Sequence, residues 1–407
     1  MLSDRTLRYA ESITAAILGV DALCRAEYDA TEPGGAAGAD DGGAIARDRE
    51  SLVVLNMARG QRATPFGAYA EAREGLAELA AQARELPEPD RRRYYDQLCR
   101  STAAFARWRE GGMPFREQLA DFLHIPPEPV SAATLAALRA ELRATLNLLG
   151  YGGDLRAQCA AWVERNRVPS EDVLAVLGEL LDAAWERTAA VFDLPTGRED
   201  GMRPVAERGG HYNARCDYAR REVRLNIDPI LTRPALEHLA VHECYPGHWT
   251  QFKLREWWYD RGLAPADGLL SVVNSASSCT FEGIADLGFR FTDWPADPDR
   301  DFAATMTRYR AAIGTGAAWR LHALGWPVAR MRDWLREQSL VGGEGWIENR
   351  IGFSAAPQRA ALIWSYWWGE AAVAPVWARV APERRAEFLR YLYGRMHSPQ
   401  SVALFGA

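Results

Sequence analysis

Clusters of proline and glycine divide the first half of the chain into segments of helical length, and neither residue type continues a regular helix. The breaks fall at residues 87–89, 126–129 and 150–153. Strong helix formers at helical spacing occupy residues 63–86, 131–149 and 170–192. Residues 1–30 have the same pattern. We therefore expect a largely helical first half.

Two local features qualify this pattern. Residues 30–46, ATEPGGAAGADDGGAIA, are rich in glycine, alanine and aspartate, which predicts a flexible loop or crossing segment instead of a packed element. Ser170 is the N-cap candidate of the helix over 170–192, where Glu171 and Asp172 favour the positive end of the helix dipole.

The pattern changes near residue 205. Residues 211–219, HYNARCDYA, are followed by 222–228, in which Val223, Leu225 and Ile227 alternate with polar residues. Alternation of this kind indicates a half-buried strand, and the two segments together predict a hairpin. Helical patterning resumes from about residue 233. The fold class we expect is mainly α with a small antiparallel β-sheet.

The charge distribution argues against several classes of function. The net charge is −6 without a basic block, whereas nucleic-acid binding requires a concentrated basic face. Lys253 is the one lysine and follows no glycine-rich loop, which excludes a P-loop and disfavours Schiff-base chemistry. No apolar run reaches the roughly 18 residues of a membrane span, and the first residues lack a secretory cleavage pattern. We expect a cytoplasmic protein without nucleic-acid or membrane partners.

The cysteines are scattered along the chain and include no C-x-x-C pair. In a cytosolic chain they are expected to be reduced and structural. Cys244 is notable because it lies inside the motif that carries the candidate chemistry.

That motif occupies residues 233–251, RPALEHLAVHECYPGHWTQ. Thr232 can cap a helix there, with Pro234 in its first turn. At about 100° per residue, Glu243 shares the apolar face of Leu236 and Ala240. A buried carboxylate is costly unless it has a cation or a reaction to serve. The position of Glu243 therefore indicates chemistry.

His242 and His248 are separated by six residues, whereas the H-E-x-x-H zinc helix separates its histidines by four. In an unbroken α-helix they would project about 120° apart and more than a turn apart, too far to share one metal easily. Pro246 removes a helical N–H, and Gly247 permits unusual backbone angles. The spacing predicts that these residues interrupt or widen the helix and return His248 to His242.

Alternatives remain at this point, because His238 and His242 are also i, i+4 partners, and a core helix without metal is a third interpretation. A catalytic zinc needs a third protein ligand and an open position. Glu282 and Asp286 are i, i+4 on a predicted helix within residues 277–291. Glu282 is the candidate third ligand of Zn²⁺. Asp286 is the candidate acceptor for the far N–H of a ligand histidine.

Residues 242–251 resemble the H-E-x-x-P-G-H-x-x-Q signature of a bacterial group, domain-of-unknown-function family 885, which itself resembles the gluzincin metallopeptidases. The resemblance covers roughly residues 205–370, and Trp249 replaces a usual histidine. Further matches are Glu282-Gly283 for an E-G segment, and Pro357-Gln358 with Tyr366-x-x-Gly369 for a C-terminal segment P-G-Q-A-x-x-Y-x-x-G, with a longer gap after Gln358. The resemblance implies a gluzincin-like architecture with glutamate as the third ligand.

The mechanism implied is metal-assisted hydrolysis. Zinc polarises a carbonyl and lowers the pKa of water towards ~7, while Glu243 takes the proton and delivers it to the leaving amine. Resembling enzymes stabilise the oxyanion with a tyrosine phenol, for which Tyr366 is the candidate. They pair an extended substrate with a strand such as 222–228, and His211 and Tyr212 are candidates to reach the cleft.

We therefore expect a zinc-dependent hydrolase, a peptidase or amidase acting on short peptides or amino-acid derivatives. The alternative is a non-proteolytic, biosynthetic metalloenzyme that uses the same site on a small molecule. The intact residue set disfavours a metal-free binding protein. Residues 1–204 are predicted to form a helical lobe, the wall and lid of a cleft, and residues 205–407 the catalytic lobe. Metal in a cleft between helical lobes would exclude folded proteins.

Overall fold

The computed structural model describes residues 2–31, 51–209 and 214–406. The helices of the first half are Asp4–Thr31, Tyr69–Ala83, Pro89–Gly111, Phe115–Leu123, Ala132–Leu148, Leu155–Arg165 and Val173–Ala189. Those of the second half are Arg233–Leu239, His248–Tyr259, Ser278–Asp286, Gly288–Phe291, Pro298–His322, Val328–Gln338, Gly343–Ala355, Pro357–Ala360, Ile363–Arg379, Arg385–Tyr393 and Pro399–Val402. The prediction of a mainly helical chain is confirmed. No helix within these described ranges is long and apolar enough to cross a membrane.

The predicted helices are present, with ends that differ by a few residues. Ser170 does not cap the helix that follows it. The chain first makes a turn in which the Asp172 N–H donates to the Pro169 carbonyl at 3.0 Å, so the helix begins at Val173 with Asp172 as its N-cap. Of the predicted flexible segment 30–46, residues 32–46 lie outside the described residues, while residues 30 and 31 complete the first helix.

The predicted hairpin is confirmed over the described residues. Strand Ala214–Asp217 pairs antiparallel with Glu222–Asn226, in which Val223 and Leu225 are fully buried. A third strand, Arg203–Glu207, pairs in parallel with the other edge of Glu222–Asn226. The result is a mixed three-stranded sheet, larger than the hairpin alone. A separate antiparallel pair joins Val53–Asn56 to Leu270–Val272.

The chain packs into two compact units, each assembled from separate stretches. The first comprises Met1–Pro127, Phe252–Gly283 and Trp368–Ala407, and the second Glu128–Gln251 and Ile284–Trp367. Three of the boundaries fall inside helices, namely His248–Tyr259, Ser278–Asp286 and Ile363–Arg379, so none of these helices belongs wholly to one unit. The lobes predicted from the sequence, residues 1–204 and 205–407, are each continuous in the chain. That division stays a prediction.

In the first unit, a buried arginine joins helix Pro89–Gly111 to the C-terminal segment. Arg91 is fully buried and donates to the Met396 carbonyl at 2.8 Å, with a second guanidinium nitrogen 3.1 Å from Nδ1 of His397. The His397 carbonyl in turn accepts a hydrogen bond from Thr280, in helix Ser278–Asp286. We call Ser278–Asp286 the glutamate helix, because it carries Glu282. Its first turn is therefore fixed to the C-terminal segment.

In the second unit, two apolar clusters hold the helices together. One joins Ala132–Leu148 to Pro298–His322 through residues such as Leu142 and Phe302. The other packs Val173–Ala189 and the strand Glu222–Asn226 against helix Arg233–Leu239. The second cluster anchors the helix that leads into His242 and Glu243.

Leu142→Ala should destabilise the protein by about 2–5 kcal/mol, because the side chain is fully buried in the first cluster and its removal leaves a cavity. Leu148→Ala is the matched control on the same helix, since Leu148 is 88% exposed, and should change stability by less than about 0.5 kcal/mol. Urea unfolding measures both. Equal effects of the two substitutions would contradict this packing.

Candidate metal centre

The helix that carries His242 starts as predicted and then widens. Thr232 caps it, its hydroxyl oxygen accepting from the Ala235 N–H at 3.4 Å. After Leu239 the helix continues as a π-helix over Ala240–Cys244, closed by a bond from the Tyr245 N–H to the Ala240 carbonyl at 3.0 Å. A π turn adds a residue to the helical repeat. The prediction that the helix widens within the motif is therefore confirmed.

Gly247 then lets the chain fold back over the helix it has just left. The Tyr245–Pro246 peptide bond is cis, and the Gly247 N–H donates to the Val241 carbonyl at 2.9 Å. A Cβ atom at residue 247 would lie 1.8 Å from the His242 carbonyl oxygen, a distance no side chain tolerates. Glycine is therefore required at this position.

The next helix begins at His248 and returns its imidazole to His242. The two ring centroids are 4.7 Å apart, with the rings nearly perpendicular at 81°. Two histidines six residues apart can therefore bind one metal ion, as predicted from Pro246 and Gly247.

Asp286, in the last turn of the glutamate helix, orients His242. Its Oδ1 lies 2.8 Å from Nδ1 of His242, so Nδ1–H donates to the carboxylate and Nε2 keeps its lone pair. Metal-binding histidines commonly have a carboxylate behind them in this way. The position of Asp286 therefore agrees with its predicted role as the acceptor for the far N–H of a ligand histidine.

Glu282 lies one turn before Asp286 on the same helix. One ligand atom from each of Glu282, His242 and His248 lies within 4.8 Å of the others. Each of the three residues is at most 9% exposed. Two imidazoles and one carboxylate are the donor set of many catalytic zinc sites. This buried group could hold a metal ion, and its chemistry fits Zn²⁺.

His238, His242 and Asp286 form a second group within the same distance limit. The 2.8 Å between His242 and Asp286 is a hydrogen-bond length, whereas two ligands of one tetrahedral zinc lie about 3.3 Å apart. Burial lowers the pKa of His238 to about 4, with the Asp286 charge opposing the shift. His238 is therefore neutral at pH 7 and packs beside His242, with ring centroids 5.4 Å apart. These distances favour the His242, His248 and Glu282 group.

Glu243 is buried in the π turn, as its place on the apolar face predicts. It belongs to neither ligand group, and it makes no hydrogen bond or ion pair with any described residue. Burial, reinforced by the Glu243 charge, raises the pKa of the Cys244 thiol well above its usual value. Cys216, in strand Ala214–Asp217, is affected in the same direction. Both thiols are therefore protonated. None of the six cysteines, all within the described ranges, forms a disulfide.

Two glycines bring together the helices that carry Glu282 and Tyr366. A Cβ atom at Gly283 would lie 2.0 Å from the Gly369 carbonyl oxygen, and one at Gly369 would lie 2.7 Å from the Gly283 nitrogen. The two backbones therefore cross in direct contact immediately after Glu282 and one turn after Tyr366. Tyr366 is half-buried, and its ring centroid is 6.4 Å from that of Phe353.

Sequence reasoning noted Gly283 and Gly369 only as parts of a resemblance and missed that they touch. A glycine inside a helical pattern is the signal that could have indicated a close crossing. Trp249, at the position of the usual histidine, is core: it is 2% exposed and packs against Trp185 and Tyr245. His211 and Tyr212 lie outside the described residues.

Comparisons of the chain with protein-family models, with curated proteins and with solved structures give no match. The family resemblance and the gluzincin-like architecture therefore stay predictions. The chemical interpretation of the site depends on its own geometry.

Purified protein should bind about one zinc ion per chain, and His242→Ala or His248→Ala should abolish this binding, because each removes one of three protein ligands. Metal analysis after dialysis measures the content. His238→Ala is the control and should retain the metal. If His238→Ala loses zinc while His248→Ala keeps it, the second ligand group is the correct one.

Gly247→Ala should also abolish metal binding, although residue 247 is not a ligand. The added methyl would force the chain away from the His242 carbonyl, separate the two histidines and destabilise the fold by about 1–3 kcal/mol. Gly178→Ala is the control, since a Cβ there meets no atom within 4 Å, and it should be neutral or stabilise by up to ~1 kcal/mol. Full zinc content in Gly247→Ala would refute the fold-back as the cause of convergence.

Proposed function

We propose that this protein is a zinc-dependent hydrolase that cleaves an amide bond in short peptides or amino-acid derivatives. The observation that carries the proposal is the convergence of His242, His248 and Glu282, together with a separate buried carboxylate, Glu243, that directly follows His242 in the chain. A structural metal site needs ligands alone. A hydrolytic site also needs a base that is not a ligand.

His242, His248 and Glu282 would hold the ion. When bound, zinc polarises a substrate carbonyl and lowers the pKa of water to about 7. Three protein ligands leave a fourth position open, as catalytic zinc sites require.

Glu243 is the proposed general base. As the water oxygen forms its bond to the carbonyl carbon, Glu243 takes the proton that the water loses. It then delivers this proton to the amide nitrogen as the C–N bond breaks, so that the amine leaves neutral. Its carboxylate is suited to this because no described residue occupies it with a hydrogen bond or ion pair.

Asp286 and Tyr366 have supporting roles in the proposal. Asp286 holds the tautomer of His242 through the 2.8 Å hydrogen bond at Nδ1. Tyr366 would donate its phenol hydrogen to the oxygen that becomes negative during attack. The Gly283–Gly369 crossing, one turn from Tyr366 and next to Glu282, supports this choice of tyrosine.

The burial of the ligands supports a small substrate. At no more than 9% exposure, these side chains admit a narrow chain or a single amino-acid derivative more readily than a folded protein surface. We expect hydrolysis of short peptides or acyl-amino acids and negligible digestion of casein. The same burial suits a small-molecule metalloenzyme, and zinc-loaded protein inert toward every peptide and acyl-amino acid would favour that alternative.

Glu243→Gln should keep the zinc and the fold but lower kcat by roughly 10²–10⁴-fold, because the isosteric amide cannot accept the proton. Steady-state kinetics on a cleavable acyl-amino acid, with metal analysis of the same sample, measures both properties. Glu237→Gln is the control. Glu237 lies on helix Arg233–Leu239, which leads into Glu243, and it pairs with Arg300 at 2.8 Å, so this variant should lose stability rather than turnover. Near-wild-type turnover by metal-loaded Glu243→Gln would refute the mechanism.

A further inference from the structure

Two arginines of the second unit lie over the ring of one tryptophan, and neither forms an ion pair with a carboxylate of a described residue. Arg310 lies on helix Pro298–His322 and Arg350 on helix Gly343–Ala355. The guanidinium carbon of each is 5.6 Å from the ring centroid of Trp346, so their separation is at most twice that distance. Both arginines are half-buried. This upper limit on their separation allows donors of both arginines to contact one ligand.

The hydrogen-bonding capacity of this pair is almost unused within the described chain. Arg310 donates weakly to the Val341 carbonyl at 3.5 Å, and Arg350 makes no hydrogen bond or ion pair with any described residue. The Nε atom of each is buried without an acceptor. Other arginines of the same unit have carboxylate partners, among them Arg300 with Glu237 and Arg332 with Glu348.

Two adjacent cations are costly to bury, and an arginine cannot relieve the cost by losing its proton at pH 7. Burial, and then the charge of Arg350, lowers the pKa of Arg310 to about 10, which still leaves it charged. Contact with the Trp346 face offsets part of this cost. An anion bound by both guanidinium groups would offset the remainder.

Arg350 and the proposed oxyanion donor, Tyr366, share one aromatic neighbour, Phe353. Arg350 lies over the ring of Phe353, 5.8 Å from its centroid, and the Tyr366 ring lies 6.4 Å from the same centroid. Arg350 and Tyr366 therefore both lie near the ring of Phe353 in the second unit.

We propose that Arg310 and Arg350 form a subsite for a carboxylate of the substrate, with Trp346 and Phe353 as its aromatic walls. The term substrate rests on the proposed hydrolase function, while carboxylate binding itself does not. Guanidinium groups match a carboxylate with paired N–H donors. The carboxylate can be the free α-carboxylate of a C-terminal residue or the side chain of an acidic residue, and the preferred substrates carry one of these near the scissile amide.

The test measures binding to the full chain after removal of metal by a chelator, so that a carboxylate cannot bind through zinc. The probes are N-acetyl-L-phenylalanine, its neutral amide N-acetyl-L-phenylalaninamide, and N-acetyl-L-isoglutamine, which carries a side-chain carboxylate only. Isothermal titration calorimetry should show at least one of the two acids binding about tenfold or more tightly than the amide. The tighter of the two acids identifies the source of the carboxylate. Equal affinities for acids and amide, or no binding of either acid, would overturn the proposal.

Arg350→Gln and Arg310→Gln should each remove this preference. Arg320→Gln is the matched control, because Arg320 lies on the same helix as Arg310 and packs over Trp334 at 4.0 Å, and it should preserve the preference. If Arg350→Gln fails to fold by circular dichroism, Arg350→Lys keeps the charge without the planar fork and should weaken acid binding several-fold. Unchanged acid affinity in the folded variant would overturn the proposal.

This experiment is independent of catalysis. Protein that binds the acids but hydrolyses nothing would refute the hydrolase and leave the subsite standing. Protein that hydrolyses amides with no preference for a carboxylate, and that binds neither acid when metal-free, would refute the subsite and leave the hydrolase standing.

Discussion

The approach of Gly247 to the carbonyl of His242 is the contact on which the candidate site depends. A π turn widens the helix, the chain reverses at Pro246, and residue 247 passes so close to the preceding turn that a methyl group would lie 1.8 Å from an oxygen. This contact converts a six-residue spacing into two imidazoles 4.7 Å apart. Without it, His242 and His248 would project from different sides of one helix.

The glutamate helix supplies the remaining acidic groups, and its own position depends on contacts at both ends. At the start, Thr280 bonds to the carbonyl of His397. At the end, Asp286 bonds to His242. Between them Gly283 meets Gly369 backbone to backbone. Glu282 is therefore held by packing on either side of it, which is how a site reaches the precision that metal binding needs.

Three carboxylates in this region have different surroundings and therefore different proposed tasks. Asp286 is engaged by an imidazole, Glu282 converges with the histidines, and Glu243 makes no hydrogen bond or ion pair with any described residue. The assignment of orienting group, ligand and base follows from these differences in environment, since all three side chains carry the same functional group. The arginine pair at Trp346 extends this logic to the substrate, because two cations without carboxylates favour an anion from outside the chain.

Local signals predicted the parts of this structure that local physics decides. The Thr232 cap, the break at Pro246 and Gly247, and the alternation of Val223 and Leu225 each act over a few residues, and each is confirmed. Strands Arg203–Glu207, Val53–Asn56 and Leu270–Val272 were not predicted, because such short segments form only when a distant partner supplies hydrogen bonds.

The Gly283–Gly369 crossing and the Arg310–Arg350 pair were missed for the same reason. The two glycines are 86 residues apart in the chain and the two arginines 40 residues apart. The local sequence around one member of each pair contains no signal that identifies the other member. At Ser170 a local signal predicted the wrong cap. The chain makes a turn at Pro169–Asp172 before the helix starts, so Asp172 takes the N-cap position.

X-ray absorption spectroscopy of the zinc-loaded protein tests the central claim most directly. The account predicts a first shell of nitrogen and oxygen at about 2.0–2.1 Å, with the scattering of two imidazoles and no sulfur. His248→Ala should bind no zinc and should therefore give no such shell. A sulfur shell near ~2.3 Å, or a spectrum identical in wild type and His248→Ala, would contradict a site built by returning His248 to His242.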